Sequence, residues 1–174
     1  MKNKIILTLS LLMLIPLTGC SQLENKEKNP TTSNQSESEV VDANSNDELR
    51  KVSNHKIVMK VDDKEYVVTL YDNPTANSLL EQLPLTLEIT DYDGYDEKVI
   101  RLDNVLSMEN APDGDEPLIP EVGYYEPGNW IAIYYGYIGY WSGKAPLGTI
   151  DATTEELEKI PDNATVIIDI YNEN

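Results

Sequence analysis

The sequence contains no phenylalanine, one cysteine and one histidine among its 174 residues. Because Cys20 is the single cysteine, a disulfide within one molecule is excluded. Zinc sites built from histidine and cysteine need several such ligands, and a nucleophilic triad needs a histidine or similar base beside its nucleophile. His55 alone does not supply either set, so the sequence does not support a zinc enzyme or a triad hydrolase.

Positive charge is also scarce. The chain has 13 lysines and arginines against 31 aspartates and glutamates, a formal net charge of −18. Such a surface repels phosphate backbones and offers no basic patch that could release counterions. The sequence therefore excludes nucleic acid as a natural partner and disfavours anionic lipid headgroups.

The one long apolar run extends from Ile5 to Ile15, after Lys2 and Lys4. It is too short for a permanent membrane-spanning helix and is typical of a secretory signal. The following "LTGC" resembles the lipobox of bacterial lipoproteins, which implies that Cys20 receives a lipid such as diacylglycerol with palmitate and becomes the new N-terminus. Residues 1–19 are thus predicted to be a lipoprotein signal peptide, and the protein is expected outside the cytoplasm, anchored to the cell membrane.

The next segment, residues 21–53, is acidic and polar, has no aromatic residue and shows no hydrophobic periodicity. Such a segment buries too little apolar surface to offset its chain entropy and is predicted to be a disordered linker. Residues 54–174 then have the length of one domain.

Within that domain, alternating apolar residues predict two hairpins. "HKIVMKVDDKEYVVTLYDN" turns at Asp62 and Asp63, and "LTLEITDYDGYDEKVIRL" turns at Gly94. Between them, Asn73 and Pro74 mark a helix start that Pro84 ends.

Further along, residues 103–123 predict a long loop, followed by a short strand at 122–125. The dipeptide Pro127-Gly128 predicts a type II turn, and Trp130 begins a strand that should run to Tyr137. "PLGTID" and "ATVIIDIYN" predict strands, and "ATTEELEKI" predicts a helix capped by Asp151 or Thr153. The fold class is mainly β: a closed antiparallel barrel of about eight strands with two short helices.

Three ordered segments, "TANSLLEQLPLTLEI", "EVGYYEPGNWIAIYYG" and "PLGTID", resemble the small bacterial cyclophilin-like proteins over nearly all of residues 55–171. The resemblance implies an eight-stranded barrel with two helices. Cyclophilins proper are peptidyl-prolyl isomerases that place an arginine beside an aromatic proline pocket. Arg101 is the one stand-in for that arginine in the domain, whereas the "FHRVI" type of motif and all phenylalanines are missing, so no catalytic residue is assigned unless Arg101 serves an isomerase.

The acidic loops suggest a weak alternative. Asp91, Asp93, Asp96 and Glu97 offer the oxygen ligands that calcium prefers, but their spacing does not match the twelve-residue calcium loop. A solvated acidic turn explains them equally well, so we predict no metal site and no cofactor.

The stretch "YYEPGNWIAIYYGYIGYWSG" holds both tryptophans and six of the eleven tyrosines. Alternation places Ile131 and Ile133 on one face of a strand, favoured as barrel interior, and the side chain of Trp130 on the other. The aromatic residues are either core or a ligand site. The residues predicted to bind a ligand are Tyr125, Trp130, Tyr137, Tyr140 and Trp141.

The sequence thus favours a membrane-anchored lipoprotein that binds a small molecule or peptide in an aromatic-lined cleft without catalysis. Two alternatives stay open: an extracytoplasmic prolyl isomerase or folding helper, and a structural or interaction subunit of the cell envelope. The oligomeric state is left open.

Overall fold

The computed structural model describes residues 48–172, and over this range the chain forms ten strands and two α-helices. The elements are β1 (Val52–Val61), β2 (Lys64–Tyr71), α1 (Pro74–Leu80), β3 (Leu85–Asp91), β4 (Glu97–Arg101), β5 (Gly114–Asp115), β6 (Glu121–Tyr125), β7 (Trp130–Tyr134), β8 (Trp141–Ser142), β9 (Lys144–Ile150), α2 (Thr154–Glu158) and β10 (Ala164–Ile170).

Eight of these strands close into an antiparallel barrel. Their order around the barrel is β1-β10-β3-β4-β7-β6-β9-β2, and β2 pairs again with β1. The remaining strands, β5 and β8, form a separate two-stranded sheet. The predicted closed barrel of about eight strands with two helices is confirmed.

Local sequence signals account for the predicted turns and caps. Asp62 adopts a left-handed conformation with φ 52° between β1 and β2, and Gly94 has φ 84° between β3 and β4. The Asn73 side chain accepts a hydrogen bond from the Ala76 amide at 2.8 Å and so begins α1. At α2, Thr153 and Glu156 form a reciprocal capping box.

The two faces of β7 are both buried, but in different layers. Ile131 and Ile133 belong to the core inside the barrel, as the alternation predicted. Trp130, Ala132 and Tyr134 point outward and form a second apolar cluster with neighbouring residues. An outward face that is buried requires a cover, and the residues from 135 to 143 together with the β3–β4 turn provide it.

The predicted type II turn at Pro127-Gly128 is wrong. Residues Glu126–Gly128 form a 3₁₀ turn, and the left-handed residue is Asn129 with φ 49°. The Asn129 side chain accepts from the Tyr124 hydroxyl and donates to the Leu102 carbonyl, both at 2.8 Å, which holds this conformation. Gly128 is needed for another reason: an added Cβ would lie 1.9 Å from Cζ3 of Trp130.

Two predicted strand boundaries also differ. Strand β7 ends at Tyr134, not Tyr137, because the amides of Tyr135 and Gly136 both donate to the Asp96 carbonyl. At the other boundary, β1 already begins at Val52, inside the stretch that the sequence assigned to the linker. The predicted long loop contains the short strand β5.

Cys20, the predicted signal peptide and the predicted linker up to residue 47 lie outside the described residues. Within the described part of the chain, neither helix has the length and apolar character needed to span a bilayer.

Candidate functional site

Five aromatic rings meet on the outside of the barrel, and we call them the aromatic cluster: Tyr92, Tyr95, Tyr125, Trp130 and Trp141. The ring centroids of Tyr125 and Trp130 are 4.8 Å apart, and those of Tyr95 and Trp141 are 5.0 Å apart. Most of the pairs are tilted or edge-on, which is the favourable arrangement for aromatic rings. The cluster is therefore a packed layer with one exposed edge, at Tyr95, whose side chain is 42% exposed.

The strand register brings the members of this site side by side. Arg101 of β4 pairs with Trp130 of β7, which pairs with Tyr125 of β6, which pairs in turn with Lys144 of β9. Residues in register on neighbouring strands project from the same face of a sheet. The barrel thus presents a row of one guanidinium, two aromatic rings and one amine.

Arg101 lies at the exposed end of this row. Its guanidinium carbon is 4.8 Å from the centroid of a Trp130 ring, a cation–π arrangement. Among residues 48–172, the ion pairs formed do not include Arg101. Arg101 is therefore a cation beside an aromatic ring rather than a member of a surface ion pair.

Beneath Trp141 lies a buried acid–base pair. The side chains of Lys144 and Glu97 are 1% and 0% exposed, and Lys144 Nζ is 3.7 Å from Glu97 Oε2, too far for a hydrogen bond. Lys144 Nζ also lies 4.3 Å from the Trp141 ring centroid and 4.7 Å from that of Tyr134. The lysine is thus enclosed between two aromatic rings and a carboxylate.

Burial shifts the titration of this pair. It raises the pKa of the Glu97 carboxyl and lowers the pKa of the Lys144 amine, while the attraction between the two groups opposes both shifts. Burial, followed by the nearby charge of Glu97, also raises the pKa of the Tyr134 hydroxyl well above its usual value. The site therefore holds three titratable groups whose charged forms are disfavoured.

A second set of buried charges adjoins this pair, and we call it the Arg50 clamp: Arg50, Asp115, Glu121 and Tyr71. Arg50 donates from Nε to Glu121 Oε1 at 2.8 Å and from Nη2 to Asp115 Oδ2 at 2.6 Å. The Tyr71 hydroxyl donates to the same Glu121 oxygen at 2.9 Å. Although burial disfavours the charged guanidinium, the hydrogen bonds to Glu121 and Asp115 raise the pKa of Arg50 above its ordinary value.

The structure brings together three of the five residues predicted to bind a ligand. The ring of Tyr125 contacts the rings of both Trp130 and Trp141. Tyr137 and Tyr140 are 78% and 61% exposed and take no part in the ring contacts of the described residues. Their role in binding stays a prediction.

The aromatic-lined cleft stays a prediction. Three surface depressions are lined by residues around Asp169, Pro112 and Pro161, and none of the three is lined by a residue predicted to bind a ligand.

Several members of the site were missed by the sequence reasoning. Tyr92 and Tyr95 stand in "DYDGYDE", which was considered only for its carboxylates, although two tyrosines in a hairpin turn were a usable signal. Glu97 is predicted only as a weak calcium ligand, and Lys144 gives no signal, because a single lysine in a strand is ordinarily solvent-exposed. Arg50 was assigned to the linker.

The four weak calcium candidates are not assembled into a site. Asp91 pairs with the amine of Lys98, and Glu97 is buried beside Lys144. Over the described residues, no three histidine, cysteine, aspartate or glutamate side chains are grouped as a metal ion requires.

A family model described as the cyclophilin-like family matches residues 59–169, which is most of the barrel. The chain belongs to the cyclophilin-like family. Among solved structures, it is similar to the solution structure of a hypothetical protein from Archaeoglobus fulgidus, with 18% identity and a TM-score of 0.56. That match covers 70% of this chain and 98% of the archaeal one, and at this identity it shows the fold alone. A comparison with curated proteins finds no match.

The family assignment leaves the activity of this cyclophilin-like domain open, because one fold hosts many functions. What the domain can do follows from its own residues: an aromatic layer for apolar or flat groups, a cation at its rim, and buried polar groups below it.

Proposed function

We propose that this protein is an exported lipoprotein, held on the cell membrane by lipid on Cys20, whose cyclophilin-like domain binds a small-molecule or peptide ligand at the aromatic cluster without catalysis. The proposal needs no cofactor and no nucleic acid. The membrane is reached through the lipid anchor, and the domain faces the extracytoplasmic side.

The observation that carries the binding proposal is the aromatic cluster on the outer face of β6 and β7. A barrel can close its inner core without placing two tryptophans and three tyrosines outside it. Tyrosine and tryptophan suit half-exposed sites because each combines an apolar ring with a polar group. Tyr95, and beyond the cluster Tyr137 and Tyr140, add exposed rings to this side of the domain.

The anchoring proposal rests on the sequence and is tested by Cys20→Ser. The variant is expected to lose incorporation of labelled palmitate and to leave the membrane fraction. Retention of the label in the Cys20→Ser variant would refute the lipid anchor.

The binding proposal is tested by comparing Trp141→Ala with Trp130→Ala. Trp130 is 6% exposed and belongs to the second apolar cluster, so its truncation should lower the free energy of unfolding by about 3–5 kcal/mol. Trp141 is half-buried, so Trp141→Ala should lower the free energy of unfolding clearly less than Trp130→Ala does. The same variant should lose ligand binding. An equal loss of stability in both variants would assign Trp141 to the core and remove it from the site.

A second candidate, prolyl isomerisation, is favoured by one observation: the guanidinium of Arg101 lies over the Trp130 ring. We expect the domain to leave the cis–trans rate of a proline peptide unchanged. Acceleration that disappears in Arg101→Ala, but persists when the surface residue Lys60 is changed to alanine, would instead establish the isomerase.

A further inference from the structure

The polar atoms beneath the aromatic cluster are unusual within this structure. In the described residues, six buried side-chain polar atoms lack a hydrogen-bond partner, and they belong to Trp130 of the aromatic cluster, to Tyr134, to the Lys144–Glu97 pair and to Asp115 of the Arg50 clamp. The acceptors are Glu97 Oε1, Glu97 Oε2 and Asp115 Oδ1, and the donors are Lys144 Nζ, Tyr134 Oη and Trp130 Nε1. Buried polar groups are normally paired, so this concentration at one place requires an explanation.

The other buried lysine shows how the chain pairs such a group where the role is structural. Lys98 is 2% exposed, and its amine donates to the Asp91 carboxylate and, at 2.8 Å, to the Ile160 carbonyl. Lys144 is as deeply buried, but its amine stays 3.7 Å from the Glu97 carboxylate and makes no hydrogen bond to a carboxylate or a carbonyl. The unpaired amine is therefore a local property of this site.

We propose that these atoms form the polar end of the ligand site, and that they bind a neutral group that both donates and accepts hydrogen bonds, such as a carboxamide. This inference rests on the proposed binding function and names the chemistry of its ligand. Lys144 and Glu97 are close but not bonded, so an inserted carboxamide would accept from the amine with its oxygen and donate to the carboxylate with its nitrogen.

The numbers of unpaired groups favour a neutral ligand. Three of the six unpaired atoms are donors and three are acceptors, and the Lys144–Glu97 pair carries no net charge. A ligand with its own charge would leave one charge buried without compensation, which is strongly unfavourable. The aromatic cluster above would hold the apolar or aromatic body of the same ligand.

Trp141 is the access point. Its ring is 4.3 Å from the Lys144 amine, it is half-buried whereas Lys144 is fully buried, and its strand β8 has two residues. Rotation of this side chain would expose Lys144 and Glu97 without opening the barrel. The ligand body would then contact Tyr95 and Tyr125, which pack against Trp141.

The test uses four probes that share one body: toluene, phenylacetamide, phenylacetate and phenethylamine. Each is titrated into the mature chain carrying Cys20→Ser, which keeps the sample free of detergent. The readout is the pair of indole N–H signals in nitrogen-15 NMR spectra, because the chain has only two tryptophans and both belong to the site.

Phenylacetamide is expected to bind at least about tenfold more tightly than toluene and than either charged probe, since a hydrogen bond to a charged group contributes roughly that factor or more. In Lys144→Met the preference for the amide should disappear, whereas the exposed control Lys60→Met should retain it. If Lys144→Met does not fold, Glu97→Gln serves in its place. The ranking of the four probes on the chain with Lys144 and Glu97 unchanged tests the preference for a neutral amide by itself.

The outcomes separate this inference from the proposed function. Equal binding of all four probes would refute the proposal that the unpaired atoms bind the ligand. Ordered water would then pair with these atoms, and the aromatic cluster would remain as the binding site. Tightest binding of phenylacetate or phenethylamine would overturn the neutral ligand. No displacement of either indole signal by any probe would overturn both the inference and the binding function.

Discussion

Replacing Arg50 with methionine should destabilise the domain strongly, although the sequence places this residue in a linker. The guanidinium makes three hydrogen bonds to carboxylates: 2.8 Å and 3.0 Å to Glu121, and 2.6 Å to Asp115. The Asp115 and Glu121 side chains are 3% and 1% exposed, so they would stay buried without their cation. Removing one partner from a buried ion pair lowers the free energy of unfolding by about 3–5 kcal/mol.

That loss is a large part of the total stability of a domain this size, which is about 5–15 kcal/mol. The assay is urea unfolding followed by circular dichroism. With a slope of about 2 kcal/mol per molar, the midpoint should fall by about 2 M while the slope stays unchanged.

The neighbouring Lys51 is the matched control. It pairs with Asp72 at 3.8 Å, but the two side chains are 74% and 56% exposed. An exposed pair of this kind contributes about 0–1 kcal/mol, so Lys51→Met should unfold close to the unchanged protein. The stability of Arg50→Lys should lie between those of Arg50→Met and Lys51→Met, because lysine keeps the charge but cannot form the bidentate hydrogen bonds of a guanidinium. If Arg50→Met were no less stable than Lys51→Met, the buried clamp would have no structural role.

Three further changes test other parts of the structure. Gly128→Ala should lower the free energy of unfolding by at least about 1–3 kcal/mol in urea titrations, because the new Cβ would overlap the ring of Trp130; an unchanged midpoint would show that the ring shifts freely. Asn129→Ala should destabilise more than Asn129→Gly, since glycine tolerates the left-handed conformation while both lose the side-chain hydrogen bonds, and the reverse order would contradict this reason. Hydrogen bonds from Thr153 lower the pKa of Glu156, so the charged carboxylate stabilises the folded state at pH values above the ordinary glutamate pKa. This stabilisation is lost as the pH falls through the lowered pKa. Glu156→Gln should therefore cost stability at neutral pH, this cost should shrink as pH falls below the ordinary glutamate pKa, and a pH-independent difference would argue against it.

Much of the barrel follows from local rules. Alternation along "NWIAIYY" assigns Ile131 and Ile133 to the interior, since side chains on a strand alternate between faces. The Asn73 cap and the Thr153–Glu156 capping box are likewise local, because each joins groups within three residues of one another. The type II turn failed because the Asn129 side chain, which bonds to Tyr124 and to the distant Leu102, holds the left-handed conformation at residue 129 instead of at Gly128.

The sequence by itself determined most of the barrel strands, the two hairpin turns, the helix caps and the inward face of β7, because these depend on neighbours along the chain. Only the tertiary structure decided what covers the outer face. The Arg50–Glu121 contact joins residues 71 positions apart, and Lys144 meets Glu97 only because β9, β6, β7 and β4 lie in that order around the barrel. When each charged residue is considered alone in the sequence, it is expected to be solvent-exposed. The burial of these residues next to one another depends on the closure of the barrel and on the loop that carries Trp141.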